Sequence, residues 1–448
     1  MNRRRIHSQR ASVMITSVVA AAVVTILVGG FASYLSNEYV LNFRSHNWTQ
    51  SLHMAEAAIE AGFAEFNYQY FKGGNGFTTD RGWSGSGSTY SKTVSNFTDA
   101  TGKTVGGFTV TASGVGANNP TLQAVGTAKS ALGSSTVSRA VKVVIANSTP
   151  FPLGLVSKNR IDLNGNNMYS DSFDSADTTK STNGRYDVAK RQPNGDVGSN
   201  DTLIDTVDVG NADIYGKVFT GVGGTVEMGP SGSVGNTFVE ADRATTVAEG
   251  ESDGYIRHDF YTDIPDAERP PGSSFWWWVG DVNSDATFNG GDWKLGEVKL
   301  DGNETLTIQG NVRLFITGDT SLSGNAKIVI SSNATLTVYS RGNMSLRGNG
   351  LVNNTGIAAN AQFFGRPACT AIDISGNADW IGTIYAPSAD LTVGGNGSVY
   401  GALVGKSVTL NGNGNFHYDE ALKTTGGSIG YVVASWQELR WSGSSWVP

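Results

Sequence analysis

A six-residue phrase with Gly-Asn at its fourth and fifth positions recurs in the second half of the chain. No other feature of the sequence constrains the fold as much. The apolar residues between its copies alternate with polar ones, as in Leu306/Ile308 and Leu336/Val338. A period of two is typical of a strand with one buried face. Gly and Asn tolerate left-handed backbone angles, so each copy predicts a tight corner between strands. The copies are residues 321–326, 345–350, 373–378, 392–397 and 409–414.

The spacing of these copies predicts that strands stack in a β-solenoid, expected here as a right-handed β-helix. Successive copies are 17 to 28 residues apart, which suits coils that contact only their neighbours. A β-sandwich with Greek-key turns would give similar runs and is the alternative. The phrase already occurs at residues 161–166, so we expect the solenoid to cover 150–422. Inserted loops are expected at about 170–208, and a proline-containing excursion at 264–274.

The composition suits a chain of short β-strands and many turns. Charged residues make up only 16%, while 58 of the 448 residues are glycine, a poor helix former. The net charge of −7 argues against nucleic acid as a partner, because phosphate-binding surfaces need clustered Lys and Arg. The single cysteine, Cys369, excludes an internal disulfide, and we expect it to be a small buried side chain beside a turn.

The amino terminus predicts a membrane helix. Residues 1–10 form a basic leader without acidic residues, and no charged residue occurs from Ala11 to Asn37. A helix of that length crosses a hydrocarbon layer of about 30 Å. The basic flank should stay in the cytoplasm, which predicts a single-pass protein of the inner membrane with its body outside the cytoplasm. A cleaved secretory signal is the alternative.

The helical pattern continues beyond the membrane segment. Apolar residues at helical spacing predict an amphipathic stripe, so that one helix is expected over 11–72, ending at Gly73-Gly74. Three strand-like runs at 107–113, 121–128 and 137–145 then predict a small α+β head over 73–149. Residues 423–448 are expected to form a carboxy-terminal strand or cap. The stripe consists of Trp48, Leu52, Ala55, Ile59, Phe63 and Phe66, and Glu56, Glu60 and Glu65 lie off it.

Two segments resemble known families. Basic residues, then Ala-Ser-Val-Met-Ile-Thr-Ser-Val-Val from Ala11, then Met-Ala-Glu-Ala-Ala-Ile-Glu at 54–60, resemble the amino-terminal region of PilX-like type IV pilus assembly proteins. This resemblance implies a minor-pilin-like protein whose amino-terminal helix packs with other pilin-like proteins. The chain departs from the pilin signature in having Ala11 before the expected prepilin-peptidase cut and Thr16 where a major pilin has glutamate.

The second resemblance lies near the carboxy terminus. The runs 382–387, 400–406 and 415–422 are similar to a carboxy-terminal domain of unknown function that is often joined to PilX-like amino termini, and residues 435–439 resemble the tail of such proteins. Neither resemblance implies a catalytic activity.

Right-handed β-helices include polysaccharide-acting enzymes, which carry two carboxylates that face one groove. Asp373, Asp379 and Asp390 are the nearest set of acids, but they do not recur at one coil position, and solvated turn acids explain them. His417, before three polar residues, is expected in a cap over the open solenoid end. The aromatic run 275–278 is expected to pack in the core, with an exposed binding patch as the alternative.

One segment fits the spacing of a calcium loop, because oxygen-bearing side chains recur at the positions used by an EF-hand. Ala286 replaces the turn glycine of such a loop, so an ordinary acidic loop is the competing interpretation. No other cofactor is predicted. The candidate Ca²⁺ ligands are Asp281, Asn283, Asp285, Thr287, Asn289 and Asp292.

The sequence therefore predicts a structural, non-enzymatic cell-surface component that displays a β-solenoid for adhesion or assembly. Its expected partners are the membrane, other pilin-like proteins and surface glycans. Two alternatives stay open: an extracellular polysaccharide-acting β-helix enzyme, and a membrane-anchored adhesin outside any pilus.

Overall fold

A single helix of 68 residues, α1 (Arg5–Lys72), opens the fold. The computed structural model describes residues 5–72, 76–98, 100–117, 119–129, 136–147, 149–165, 168–270, 272–274, 276–425 and 430–448. The predicted helix end at Gly73-Gly74, Asn166 of the first phrase and Phe275 of the aromatic run lie outside them. α1 has no proline and continues through the apolar stretch, as the prediction of one rod requires.

The chain divides into two units. Unit 1 contains Met1–Gln69, Gly74–Ala146 and Tyr431–Pro448, and unit 2 contains Tyr70–Gly73 and Asn147–Gly430. Unit 2 is therefore inserted between two segments of unit 1. The predicted head and body meet at nearly this boundary, but the carboxy-terminal segment belongs to unit 1, where it forms the last two strands of the sheet.

Unit 1 is an antiparallel sheet with α1 across it. A 3-10 turn at Thr79–Arg81 precedes the sheet, and the strand order is β1-β2-β3-β4-β5-β29-β30. The strands are β1 (Ser84–Ser86), β2 (Thr89–Thr98), β3 (Thr104–Ser113), β4 (Thr121–Lys129), β5 (Thr136–Asn147), β29 (Tyr431–Trp441) and β30 (Trp446–Val447). The three predicted strands are found as β3, β4 and β5, whereas β1 and β2 were not predicted.

The core of unit 1 lies between the helix stripe and the sheet. Ala55, Ile59 and Phe66 are buried against Val110 and Leu122. Two predictions for the helix are wrong. Trp48 is 52% exposed although it belongs to the stripe, and Glu65 is buried although it lies off it. Glu65 tolerates burial because its carboxylate Oε2 accepts a hydrogen bond of 2.7 Å from Nε of Arg81.

Unit 2 is a sheet of 23 strands. Two short helices, α2 (Val247–Ser252) and α3 (Leu422–Thr425), and 3-10 turns at Val188–Lys190, Glu240–Asp242 and Ala358–Asn360 connect parts of it. The first ten strands are β6 (Leu155–Ser157), β7 (Ile161–Asp162), β8 (Tyr169–Phe173), β9 (Val197–Ser199), β10 (Val207–Gly210), β11 (Asp213–Tyr215), β12 (Val218–Phe219), β13 (Val226–Met228), β14 (Ser233–Gly235) and β15 (Ile256–Arg257). Inserted loops are predicted at about 170–208: residues 174–196, between β8 and β9, contain no strand of this sheet and only the 3-10 turn at Val188–Lys190, whereas β8, β9 and β10 occupy the remainder of that range.

The later strands of unit 2 are longer and follow one another closely. They are β16 (Trp277–Val282), β17 (Ala286–Leu300), β18 (Thr305–Ile316), β19 (Thr320–Leu322), β20 (Lys327–Ile330), β21 (Thr335–Ser340), β22 (Met344–Gly348), β23 (Gly350–Asn353), β24 (Ala361–Gly365), β25 (Ala371–Gly376), β26 (Trp380–Gly395), β27 (Val399–Leu410) and β28 (Phe416–Asp419).

Parallel pairing in register stacks these strands into columns. One column of directly paired residues runs through most of the unit, and from Leu314 to Ile256 its members are buried aliphatic or aromatic side chains. The order in space is not the order in sequence, because β27 pairs with β26 on one side and with β6 on the other. The column is Trp277, Trp293, Leu314, Val338, Phe363, Ile384, Leu403, Leu155, Val197, Val218 and Ile256.

The segment predicted as an excursion, residues 264–274, belongs to the connection that makes this spatial order of strands possible. The chain must pass from the level of Ile256 to that of Trp277, at opposite ends of the column. At about 4.8 Å per strand pair, the column is about 48 Å long. The residues from Phe260 to Trp276 span about 55 Å when extended. Within 259–270 the described backbone forms no helix or strand. It contacts the side of the stack, where the Tyr385 hydroxyl donates a 2.5 Å hydrogen bond to the carbonyl of Pro265.

The repeated phrase stacks on itself. A Cβ atom on Gly348 would lie 2.0 Å from the carbonyl oxygen of Gly324, and one on Gly412 would lie 2.2 Å from that of Gly395. Only glycine fits at such a distance from the preceding level. Gly165, from the earliest copy, lies over Gly412 of the last copy in the same way, at 2.5 Å. The phrase thus marks one column of corners, including the point where the chain order is broken.

The asparagines of the phrase form a ladder beside the glycines. Nδ2 of Asn413 donates to Oδ1 of Asn396, and Nδ2 of Asn396 donates to Oδ1 of Asn377, both at 2.8 Å. Asn325 donates in the same way to Asn303 at 3.1 Å. In-register stacking lets each amide serve the next, as in other asparagine ladders. The two conspicuous residues of the phrase therefore have separate roles, close approach for glycine and hydrogen bonding for asparagine.

Candidate assembly surface and the predicted sites

The apolar part of α1 is an extended exposed hydrophobic surface. Met14, Val24 and Phe31 are 70%, 57% and 63% exposed. Met14–Gln69 is the stretch of helix that is long and apolar enough, by length and composition, to cross a membrane. Soluble proteins rarely expose a contiguous apolar surface of this size unless lipid or another protein covers it. We call the surface of residues 14–37 the apolar helix segment.

The remainder of α1 is held tightly on the sheet of unit 1. A Cβ atom on Gly126 of β4 would lie 2.1 Å from the carbonyl oxygen of Ser51 and 2.3 Å from the nitrogen of Ala55. The helix backbone thus contacts the strand backbone directly. About two helical turns beyond Ala55, a Cβ atom on Gly62 would meet the side chain of Leu122. These contacts fix the direction in which the apolar helix segment leaves the sheet.

A cation links the helix to the carboxy-terminal strand within unit 1. The guanidinium of Arg139 on β5 lies 4.6 Å from the ring centroid of Trp48. Its Nε donates a 2.6 Å hydrogen bond to Glu438 of β29, and a second nitrogen pairs with the other oxygen of the same carboxylate. Such two-point pairs fix orientation. Glu438 lies in the tail segment that suggested a family resemblance, but nothing in the sequence pointed to Arg139.

Unit 2 contains a buried polar cluster around Asp171 of β8 and His417 of β28. Nδ1 of His417 donates to Oδ1 of Asp171 at 2.6 Å, and the hydroxyl of Tyr186 donates to the other oxygen at 2.7 Å. The ring of Tyr186 lies 3.9 Å from that of His417. Burial, and then the Asp171 carboxylate, raise the pKa of the Tyr186 hydroxyl. This places His417 inside the stack, so the prediction of a cap over an open end is wrong.

The neighbouring acids extend the cluster. Glu420 accepts hydrogen bonds from Ser172 and Asn194 at 2.7 and 2.8 Å. Asp419 is fully buried, and burial raises the pKa of its carboxyl. Sequence reasoning missed Asp171 because it lies in a polar stretch. The alternation of Tyr169, Asp171 and Phe173 with serines was the available signal.

The three acids considered for catalysis are engaged separately. Asp373 pairs with Arg347 at 2.9 Å, Asp390 accepts a 2.6 Å hydrogen bond from Ser407, and Asp379 accepts one of 2.9 Å from the backbone nitrogen of Ser398. Each is bound to its own neighbour in the stack, and the contacts do not join them into one group.

The predicted calcium segment is extended rather than looped. Thr287, Asn289 and Asp292 lie on β17, Asp281 lies on β16, and Asn283 and Asp285 lie between these strands. Asp281 accepts a hydrogen bond from the nitrogen of Glu297 at 2.8 Å, and Asp285 accepts one from that of Thr305 at 2.7 Å. Asp292 pairs with Arg313 at 2.7 Å.

Residues along an extended strand rise about 3.3 Å each, so these six oxygens do not converge as in an EF-hand. Within the described parts of the chain, no group of three or more His, Cys, Asp or Glu residues could hold a metal ion. The prediction of a loop conformation is therefore wrong, whereas calcium binding by these residues stays an untested prediction.

The aromatic run divides between core and surface. Trp276 is buried, with the Arg313 guanidinium 5.0 Å from its ring, whereas Trp277 and Trp278 are 72% and 56% exposed. Trp277 occupies a column position at the end of the stack, where it pairs with Trp293 on one side. Cys369 is buried, as predicted, and burial raises its pKa to about 11.

Comparison with known proteins gives two findings. Residues 267–425 match the family described as Domain of unknown function (DUF7305). The matched region includes the three runs 382–387, 400–406 and 415–422. The match covers less than half of the chain. No curated protein matches the sequence.

Among solved structures, the chain is similar to the competence-associated pilin ComZ from Thermus thermophilus. The identity is 12%, the alignment covers 88% of this chain and 97% of that chain, and the TM-score is 0.24. A similarity at this level carries no argument about function.

Proposed function

We propose that this protein is a membrane-anchored, minor-pilin-like structural component of a type IV pilus or a related assembly. The observation that carries the proposal is the exposed apolar helix segment, which continues without a break into a helix packed across an antiparallel sheet. Helix–helix packing of residues 13–35 with other pilin-like helices would cover this surface. The PilX-like resemblance of about residues 10–66 supports this partner class.

Unit 2 is the displayed part in this proposal. We infer that it is a β-solenoid, held outside the cytoplasm for adhesion or assembly. Supporting this are the parallel column, the stacked glycine corners and the asparagine pairs beside them. The membrane would be the inner membrane, with the basic leader in the cytoplasm.

A polysaccharide-acting enzyme is the less favoured alternative. Glycoside hydrolysis requires two carboxylates that face one substrate. Asp373 and Asp390 instead pair with Arg347 and with Lys406 and Ser407. The proposed role is therefore structural and without catalysis.

Site-specific photo-crosslinking tests the partner directly. A photoreactive amino acid at Val24 should crosslink the native full-length protein to pilin-like proteins in cell membranes. The matched control is Val188, a valine of unit 2 with a similar exposure of 62% against 57%. Crosslinks from Val24 to lipid alone, with no protein adduct, would contradict the pilus role and favour a membrane-anchored adhesin.

A further inference from the structure

A cavity in unit 1 lies between α1 and the ends of β2, β3 and β4. Its volume is about 760 Å³. Cationic or protonatable groups and aromatic rings line it, and none of the described lining residues is acidic. The residues that the argument uses are Phe43, His46, His53, Phe97, Lys103 and Lys129.

The cavity lies close to the apolar helix segment. The last residue of the uncharged stretch is Asn37, and Phe43 follows on the same continuous helix. At 1.5 Å per residue, Phe43 is about 9 Å beyond Asn37 along the axis. The polar headgroup layer adds about 5–8 Å on each side of the hydrocarbon core. The lower rim of the cavity therefore falls at the outer edge of the headgroups once the apolar segment spans the membrane.

Two residues of α1 below the cavity suit a membrane surface. Tyr34 and Tyr39 are 59% and 58% exposed. Exposed tyrosine and tryptophan are enriched where headgroups meet water. Lys129, also exposed, is the last residue of β4 and lines the cavity.

We propose that this cavity binds the phosphate headgroup of an anionic phospholipid in the outer leaflet of the membrane. Lys129 and His46 would contact the phosphate, and the rings of Phe43 and Phe97 would contact the carbon atoms of the headgroup at the lower rim of the cavity. The lipid would fix the height and tilt of unit 1 above the membrane. The inference rests on the membrane anchoring proposed above.

A thermal-shift experiment on the full-length protein in a neutral maltoside detergent tests this. Short-chain phosphatidylglycerol should raise the unfolding temperature more than phosphatidylcholine of equal chain length, because a ligand of the folded state stabilises it. The difference should shrink in high salt, which screens exposed charges. Lys129→Gln should weaken the apparent affinity for phosphatidylglycerol roughly fivefold, as expected for one lysine at an anionic surface.

Lys142→Gln is the matched control, because Lys142 pairs with Gln123 on the sheet and does not line the cavity. The control should keep the full shift. Equal shifts with the two lipids, or an equal loss in both variants, would overturn the lipid site. The same shift with inorganic phosphate alone would show a free-anion site instead.

A separate measurement distinguishes failure of the proposed membrane anchoring from failure of the lipid site. A full-length protein that is released from cell membranes by alkaline carbonate would contradict the proposed function. A protein that resists carbonate but shows no phosphatidylglycerol preference would contradict the lipid site alone.

Discussion

Nδ1 of His417 lies 2.6 Å from Oδ1 of Asp171, although 246 residues separate them in the chain. The contact joins the last strand of the later stack to one of the first strands of unit 2. Both side chains are buried, at 2% and 0% exposure. The pair therefore helps to hold together the junction in unit 2 at which the spatial order of the described strands departs from their order in the sequence.

Removing one partner should destabilise unit 2. Asp171→Ala leaves the Nδ1–H of His417 and the hydroxyl of Tyr186 without their acceptor inside the stack. Breaking such a buried pair costs about 3–5 kcal/mol. Asp373→Ala, which removes a half-exposed pair with Arg347, should cost less than about 1 kcal/mol. Urea unfolding of unit 2 measures both, and equal midpoints for the two variants would contradict the role assigned to the junction.

Cys369 provides a probe for that measurement. Its thiol is buried, with a pKa raised from 9.0 to about 11, so iodoacetamide at pH 8 should label it only when unit 2 opens. Because the pKa of the Cys369 thiol is higher in the folded protein than its ordinary value, the contribution of this thiol to the free energy of unfolding is constant below pH 9. That contribution decreases as the pH rises from 9 through 11. Labelling in native buffer as fast as in urea would show that the thiol is accessible.

The loss of stability on replacing a corner glycine should depend on how closely that glycine approaches the preceding level of the stack. Gly395 has a φ of 96°, and its Cβ would lie 1.9 Å from the carbonyl oxygen of Gly376. Gly302 also has a positive φ, of 57°, but a Cβ there meets no atom within 4 Å. Gly302→Ala should therefore cost only the left-handed penalty of about 1–2 kcal/mol.

Gly395→Ala adds a backbone clash to that penalty and should prevent unit 2 from closing around Cys369. Protection of Cys369 from labelling distinguishes the two variants. If Cys369 is as well protected from labelling in the Gly395→Ala variant as in the Gly302→Ala variant, the glycine corners are not in close contact.

The contact between helix and sheet in unit 1 can be tested with a second glycine pair. Gly126→Ala places a Cβ within 2.3 Å of two backbone atoms of α1 and should push the helix off the sheet. Gly62→Ala meets only the flexible Leu122 side chain and gains up to about 1 kcal/mol of helix propensity. Hydrogen exchange of 105–128 should accelerate in Gly126→Ala alone, and similar exchange in both variants would refute the direct backbone contact.

The sequence predicts much of this architecture because its signals are local. The phrase at 321–414 predicts stacked strands, and both its glycines and its asparagines do stack. Uncharged residues 11–37 predict the apolar part of α1, and the single helix is confirmed. The resemblance near the carboxy terminus falls inside the matched family region.

The order of stacking could not be predicted, because short alternating runs fit against any neighbour. The sequence predicts that the copy at 161–166 joins the column of corners, but not where in the column it lies. The pairing of Leu403 with Leu155 places this copy next to the last copy in space. Strand β29 was missed as part of the head because its side chains are mostly exposed and show no buried alternation. Its position depends on Arg139 and Glu438, which are 299 residues apart.

The mature amino terminus of the native, membrane-extracted protein tests the central claim most directly. Mass spectrometry should find the chain cut next to Ala11, with a methylated new amino terminus, which is the mark of prepilin-peptidase processing. The apolar helix segment would then begin the mature protein, as the pilin-like proposal requires. An intact terminus, or a cut near Leu35 that removes the apolar segment, would contradict it.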